Sequence, residues 1–404
     1  MAHHVEIPED IDIPSSSLWS KWPIPLAVGV LGIAGTFATI GSNKEHIAYS
    51  YLFAFMFALS IALGCLGFVL IQHAVRAGWS VTVRRIAENA AMTLPVFAIL
   101  FIPIALLAHD IFAWTHEEHL DDILKAKAPY LNLNFFYVRA AVYFVVWTGL
   151  AWFFYSKSKA QDRGGQHALT KQMWFLSGVG ILLFGLTQTF AAFDWLMSLQ
   201  PHWYSTIFGV YFFAGSIIGA YAFMTLVSKG LQNAGLMKTA MTTEHYHDLG
   251  KFLFGKTVFW AYIGFSQFFL IWYANIPEET EFFIHRMHHG WGVITWAMPI
   301  THFFLPFFFL LSRHVKRHPV GIIVGAVYLM AVHIIDIYWL VMPNFGAHGS
   351  GAAPHAFTDV WIDIAALVGV VGVFIGAFMF FLNRGKVVAI GDPRIEEALA
   401  HENF

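Results

Sequence analysis

This chain of 404 residues contains one cysteine, Cys65, and that scarcity excludes a good deal. Iron–sulfur clusters need several thiolates and c-type haem needs a CxxCH motif, so neither can be built from this sequence. An internal disulfide is equally excluded. Charge is scarce too: Asp, Glu, Lys and Arg together make up 12% of the residues, with a formal net charge of −2. Such a balance gives no basic footprint for nucleic acid. The first 22 residues are polar and acid-rich and lack the charged and apolar regions of a cleavable signal, so none is expected. No linker is long enough to join separate soluble domains. The longest connectors are 113–134 and 228–248, and 346–356 is a Gly/Ala-rich flexible loop.

What the sequence has in abundance is apolar length. Ten stretches stand out: 22–40, 51–75, 90–112, 135–155, 172–192, 207–227, 249–273, 290–311, 320–340 and 357–382. Most can cross ~30 Å of hydrocarbon at ~1.5 Å per residue. The expected fold is therefore an all-α membrane protein of ten transmembrane helices. The expected layout is a tail over 1–21, one transmembrane domain over 22–382, and a second tail over 383–404.

The connectors orient the chain. One set, comprising both tails and 76–89, 156–171, 228–251 and 312–319, carries seventeen Lys and Arg. The opposite set carries four, namely Lys44, Lys125, Lys127 and Arg286, while Arg139 and Lys256 fall inside spans. By the positive-inside rule, both termini face the cytoplasm. The opposite face is rich in acids and histidines, among them Glu117, Glu118, Asp121, His202 and His285.

A weak internal repeat accompanies this layout. Spans 2–5 and 6–9 run in the same orientation, and the fourth span of each ends similarly, at Asp194-Trp195-Leu196-Met197 and at Asp336 followed by Trp339-Leu340-Val341-Met342. Two four-helix bundles, flanked by spans 1 and 10, are the expected arrangement, although aromatic residues at a membrane interface also recur by chance.

Ionisable groups in the hydrocarbon cost a few kcal/mol each at a helix centre and so mark function. His302 in span 8 and His333 in span 9 fall near the midplane. Asp336 lies one turn from His333 on the same face. Asp363 in span 10 and Gln267 in span 7 match the depth of Asp336, and Lys256 and His73 extend a polar line toward the basic side. The functional reading is a proton relay. The competing readings are hydrogen bonds that merely hold the bundle together, and ligation of one b-type haem by His302 and His333.

A second constellation, Asp110, Arg139, Asp194, His202 and Tyr204, sits at the opposite edge of the membrane beside Trp195 and Trp203. Charged groups among aromatics at that depth suit a quinone head group, which needs a hydrogen-bonding partner at each oxygen. An Arg–Asp structural pair under an aromatic belt is the alternative. Glu281, His285, His288 and His289 share a helical face but match no metal motif with a defined mechanism, so no metal site is expected.

Two stretches carry a family resemblance: FDWLMSLQPHWYSTIFG, residues 193–209, and GDPRIEEALAHENF, residues 391–404. With ten spans in two bundles, the chain resembles the NrfD-like family of polysulfide-reductase membrane subunits. Within it, the chain is most similar to the shorter of the two such subunits of alternative complex III. The resemblance implies a bacterial inner-membrane subunit of a quinol:electron-acceptor oxidoreductase that binds no metal or covalent cofactor itself. It implies a second NrfD-like subunit, an iron–sulfur subunit and multihaem cytochrome c subunits as partners, alongside lipids. Quinol or menaquinol is the candidate ligand, although the family's quinol-oxidising site is assigned to the longer sister subunit. Readings of another class are a secondary transporter and a purely structural anchor for peripheral redox subunits.

Overall fold

A computed structural model describes residues 9–38, 40–116, 121–164, 167–287, 290–346 and 359–403. Among these residues every regular element is helical. Among the described residues nine helices are long and apolar enough to cross a membrane: Lys44–Ala74, Val81–Leu106, Leu133–Gln161, His167–Leu199, Phe208–Asn233, Thr243–Ala274, Gly292–Leu311, Pro319–Asn344 and Val360–Leu382. They are spans 2 to 10 of the expected order. The chain is an all-α, multi-pass membrane protein.

Span 1 is the exception. Its helix, Pro23–Phe37, has 15 residues and rises roughly 22 Å, short of a full crossing. It lies along span 10, where both helices present glycine. A Cβ added at Gly29 would meet the Val373 backbone nitrogen at 2.3 Å, and one at Gly372 would meet the Gly29 Cα at 2.7 Å. Small residues on facing helices let the backbones touch, which is how helices associate where lipid removes the hydrophobic drive.

The two expected quartets are present as packed units. Span 2 packs on spans 3 and 5, and span 4 on spans 3 and 5; span 6 packs on spans 7 and 9, with span 8 between those two. The bundles meet where span 2 lies against span 6, and each of these also touches the last helix of the other quartet. Gly64 sets that approach, since a Cβ there would fall 2.1 Å from the Ser216 carbonyl oxygen. Spans 2 and 6 are almost wholly buried, whereas spans 7 and 8 leave most of their surface bare.

Two spans are irregular, and proline explains both. Span 3 is a chain of short helices, Val81–Ala91, Leu94–Leu100 and Ile102–Leu106, with Pro95 and Pro103 at the breaks. Span 8 widens into a π-helix over Pro299–Phe304. Pro306 has no N–H to offer the carbonyl four residues back, that of His302, so the turn opens. The Tyr328 hydroxyl donates to the neighbouring Thr301 carbonyl at 2.7 Å, replacing part of what the widened turn loses.

Where described, both tails are packed on the rest of the chain. Val387 N–H donates to the Ile11 carbonyl at 3.0 Å, and Asn383 Nδ2 donates to the Trp19 carbonyl at 2.7 Å. Further on, the C-terminal tail crosses the basic face of both bundles. Asp392 binds Arg84 Nη2 at 2.6 Å, and Gly391 N–H donates to Asp162 at 3.1 Å. His401 then meets Asp248 at 2.5 Å. Residues 76–89, expected as a loop, instead begin span 3 at Val81, with Arg84, Arg85 and Glu88 buried together.

Candidate functional site

The mid-membrane polar groups come together at the seam between the bundles. Asp336, on span 9, accepts a hydrogen bond from the Tyr211 hydroxyl of span 6 at 2.5 Å and one from Trp260 Nε1 of span 7 at 3.1 Å. One turn earlier, His333 Nε2 bonds the Ser60 hydroxyl of span 2 at 2.8 Å. Gly215 and Gly219 on span 6 make room for that imidazole, since a Cβ at either would stand 3.0–3.1 Å from the ring. His302, from the π-turn of span 8, lays its ring on Trp260 with centroids 3.8 Å apart. All three ionisable residues are essentially without solvent exposure.

The valences here are not all filled. Among the described residues neither ring nitrogen of His302 has a hydrogen-bonding partner, nor has Nδ1 of His333. Buried polar atoms of this kind are rare, and each asks for an occupant or a role. A haem between His302 and His333 does not fit: His333 Nε2 is engaged by Ser60 and its ring is walled by glycines, while Trp260 covers His302.

Asp363 belongs to a separate group nearer the acid-rich face. It binds His46 Nε2 and the Tyr338 hydroxyl, each at 3.1 Å, and also the Ser50 hydroxyl. Ser50 and Ser60 are ten residues apart on span 2, so the two groups are separated by about 15 Å along that helix. Between them, Phe53 packs edge-on to Tyr338 and Phe57 packs on His333. The expected continuity from Asp336 to Asp363 is thus interrupted by two phenylalanines.

The extension toward the basic face is also partial. His73 is buried on span 2 against Phe154 of the first bundle, about 20 Å along the helix from Ser60. Lys256 is half-buried, with Nζ 5.7 Å from the Phe259 ring, and among the described residues it makes no hydrogen bond to the line. Gln267 lies on the wall of a cavity in the second bundle rather than in the line.

The five residues of the second constellation are divided among three places. Arg139 and Asp194 form a two-pronged pair, Nε to Oδ2 at 2.8 Å and Nη2 to Oδ1 at 2.9 Å. Tyr143 donates to the same carboxylate at 2.7 Å, and Arg139 Nη1 donates to the Tyr130 carbonyl at 2.7 Å. Asp110, expected at Arg139, instead pairs with Lys44 at 2.8 Å on the surface. His202 pairs with Asp121 at 2.8 Å, also in the open, and the exposed Tyr204 ring lies 5.7 Å from Lys127. The geometry of Arg139 and Asp194 is that of a closed structural pair.

The second bundle has a counterpart. Arg286, on the amphipathic helix Pro277–Met287, donates to the Trp339 and Leu340 carbonyls at 3.2 and 3.0 Å. It thereby caps the end of span 9 as Arg139 ties the end of span 5. Burial pulls its pKa down to about 9, which leaves it protonated at neutral pH.

His288 and His289 of the candidate metal set lie outside the described residues, as do Glu117 and Glu118. Among the described residues no group of three metal-ligating side chains converges.

Sequence alone did not single out Tyr211, Trp260, Ser60, His46, Ser50 or Tyr338. The serines carried a signal, as hydroxyls within or beside a run of apolar residues. The aromatics carried none, because Phe, Trp and Tyr make up 17% of the chain.

No family model matches the chain, and no curated protein matches it.

Proposed function

We propose that the chain is an integral membrane subunit of a quinol:electron-acceptor oxidoreductase of the alternative complex III type, where it supports quinol oxidation and provides a proton-conducting path. The observation that carries the proton part is the Asp336 carboxylate, buried at mid-membrane, held by Tyr211 and Trp260 and lying one turn from His333. A carboxylate can store a proton, and an imidazole can take one at one nitrogen and release it at the other. His302 and His333 each keep a ring nitrogen free for that exchange. Simple interhelical adhesion would not leave such atoms unfilled.

In this reading Asp336, His333, Ser60 and His302 form the central station. Asp363 with His46 and Ser50 forms the outer one, and His73 and Lys256 stand on the approach from the cytoplasm. Phe53 and Phe57 stand between the two stations, so in this reading a proton passes only when water bridges that interval. The loops rich in Lys and Arg lie in the cytoplasm, and the membrane is the bacterial inner membrane. Electrons pass through partner chains: an iron–sulfur subunit and multihaem cytochrome c subunits on the far side, beside a second membrane subunit of the same kind. A single cysteine supports that division of labour.

A secondary transporter is less well supported. Transporters built from repeats place broken helices at equivalent positions of the two halves. Here the breaks fall in span 3, the second helix of one quartet, and in span 8, the third of the other. The test of assembly is purification from the native membrane under mild detergent. Haem- and cluster-bearing chains are expected to come with this one, while the separated subunit shows no haem absorbance. A stoichiometric b-type haem lost on His302→Ala, or a subunit that is fully active alone, would overturn the reading.

A further inference from the structure

The second bundle contains a cavity of about 570 Å³ between spans 6, 7, 8, the end of span 9 and the helix Pro277–Met287, within the ~300–1,000 Å³ usual for small-molecule sites. Its inner wall holds Tyr211 and Trp260, the two residues that bond Asp336. Its mouth is formed by Tyr262, Phe265 and Trp296, each more than 60% exposed on the bare face of spans 7 and 8. The cavity therefore opens sideways, toward hydrocarbon rather than water.

Three features limit what can occupy it. Among the described residues the lining contains no Asp, Glu, Lys, Arg or His, so a phosphate or ammonium head would be buried there without a counter-charge. Aromatic rings, Phe268 and Phe283 among them, line the walls and favour a flat partner. Gln267 lies in the lining, nine-tenths buried, and among the described residues its Oε1 has no hydrogen-bond partner. A buried acceptor of that kind calls for a hydroxyl donor on the occupant.

We propose that this cavity binds the ring of a lipid-tailed quinol, with a ring hydroxyl donating to Gln267 Oε1 and the tail leaving past Tyr262 and Trp296. A second hydroxyl at the inner end would lie beside Tyr211 and Trp260, one hydrogen bond from Asp336. The proposal deepens the functional reading above, because it names a ligand site on this chain. It places that site away from Arg139 and Asp194, whose polar atoms are already satisfied by one another. It assigns binding only and no electron transfer.

The test uses the full-length chain in lipid nanodiscs, titrated with a decyl-tailed benzoquinol and, separately, mapped with a photoactivatable benzoquinol kept in its reduced form. Adducts are expected on peptides of spans 7 and 8. Gln267→Leu should weaken quinol binding about tenfold, the loss of one buried hydrogen bond. Ala261→Phe, which fills the cavity from its wall, should abolish saturable binding and labelling. Labelling elsewhere, or equal affinity in both variants, would overturn the proposal. So would displacement of the quinol by phospholipid acyl chains with no effect of Gln267→Leu, which would make the cavity a lipid niche. Neither variant touches Asp336, so loss of this site and loss of the proton path are separately visible.

Discussion

Removing one partner of the Arg139–Asp194 pair should be far more damaging than removing both. Asp194→Ala deletes two charge-assisted bonds and leaves the guanidinium buried against Tyr130 and Phe135, whose rings lie 3.9 and 4.4 Å away. An unpaired buried charge costs about 3–5 kcal/mol. The Tyr143 hydroxyl loses its acceptor as well, worth about 1 kcal/mol more. The double variant Arg139→Met, Asp194→Leu removes both charges and fills much of the space, and such replacements are often close to neutral, within roughly 1–4 kcal/mol either way. The expected coupling between the sites is then on the order of 3 kcal/mol. The assay is reversible unfolding in detergent, followed by the loss of monodisperse protein, for the wild type, each single variant and the double. Stability should rank wild type and double above both singles. A double variant as unstable as Asp194→Ala would refute the pair's structural role, and a single variant with normal stability but lost quinol binding would restore it as a ligand site.

Topology can be read by cysteine labelling, because Cys65 is buried and gives a clean background. Asp122→Cys, at a fully exposed side chain, should react with an impermeant maleimide applied from outside intact cells, and Arg163→Cys only after the membrane is opened. The reverse pattern would invert the orientation. For the tail, Asp392→Ala should free residues 391–404 from Arg84 and expose them to carboxypeptidase, and an unchanged digestion rate would show that the clasp is idle. The same contact has a pH signature. Burial alone would raise the Asp392 carboxyl, but the Arg84 guanidinium and the Arg394 backbone N–H outweigh it and hold the pKa below the ordinary 3.8. A depressed carboxylate stabilises the fold above that value, and its contribution is lost as pH falls below it, so digestion of the wild-type tail should accelerate only there.

Fold class was legible because a membrane span is declared by length and hydropathy alone. Packing was not, because apart from His333, Asp336 and Asp363 spans 9 and 10 are apolar on every side, and lipid is as apolar as a neighbouring helix. Nothing in 51–75 announces that span 2 is the buried centre of the molecule while span 7 is its bare flank. Depth could be counted residue by residue, which brought His302, His333 and Asp336 correctly to one level. Azimuth and tilt could not, so Lys256 was expected in a line it does not join, and Asp363, counted to the depth of Asp336, bonds Ser50 about 15 Å along span 2 from the serine that holds His333. Asp110 was matched to Arg139 by depth, yet Asp194 reaches it first, from the end of the adjacent span 5. The prolines are visible in the sequence: those at 95 and 103 mark the breaks of span 3, and Pro306 opens the turn of span 8 that carries His302.

The central claim is that Asp336 carries a transferred proton. Asp336→Asn keeps the size of the side chain and an acceptor for Trp260, at the cost of about one unsatisfied hydroxyl at Tyr211, about 1–3 kcal/mol, so the protein should still fold and assemble. The measurement is the number of protons translocated per electron by the proposed complex, purified and sealed in liposomes, with wild type and variant compared at matched electron-transfer rates. The account predicts that electron transfer persists while the proton yield falls. A variant complex with the full proton yield would contradict it, and the buried carboxylate would then be only a tie between spans 6, 7 and 9.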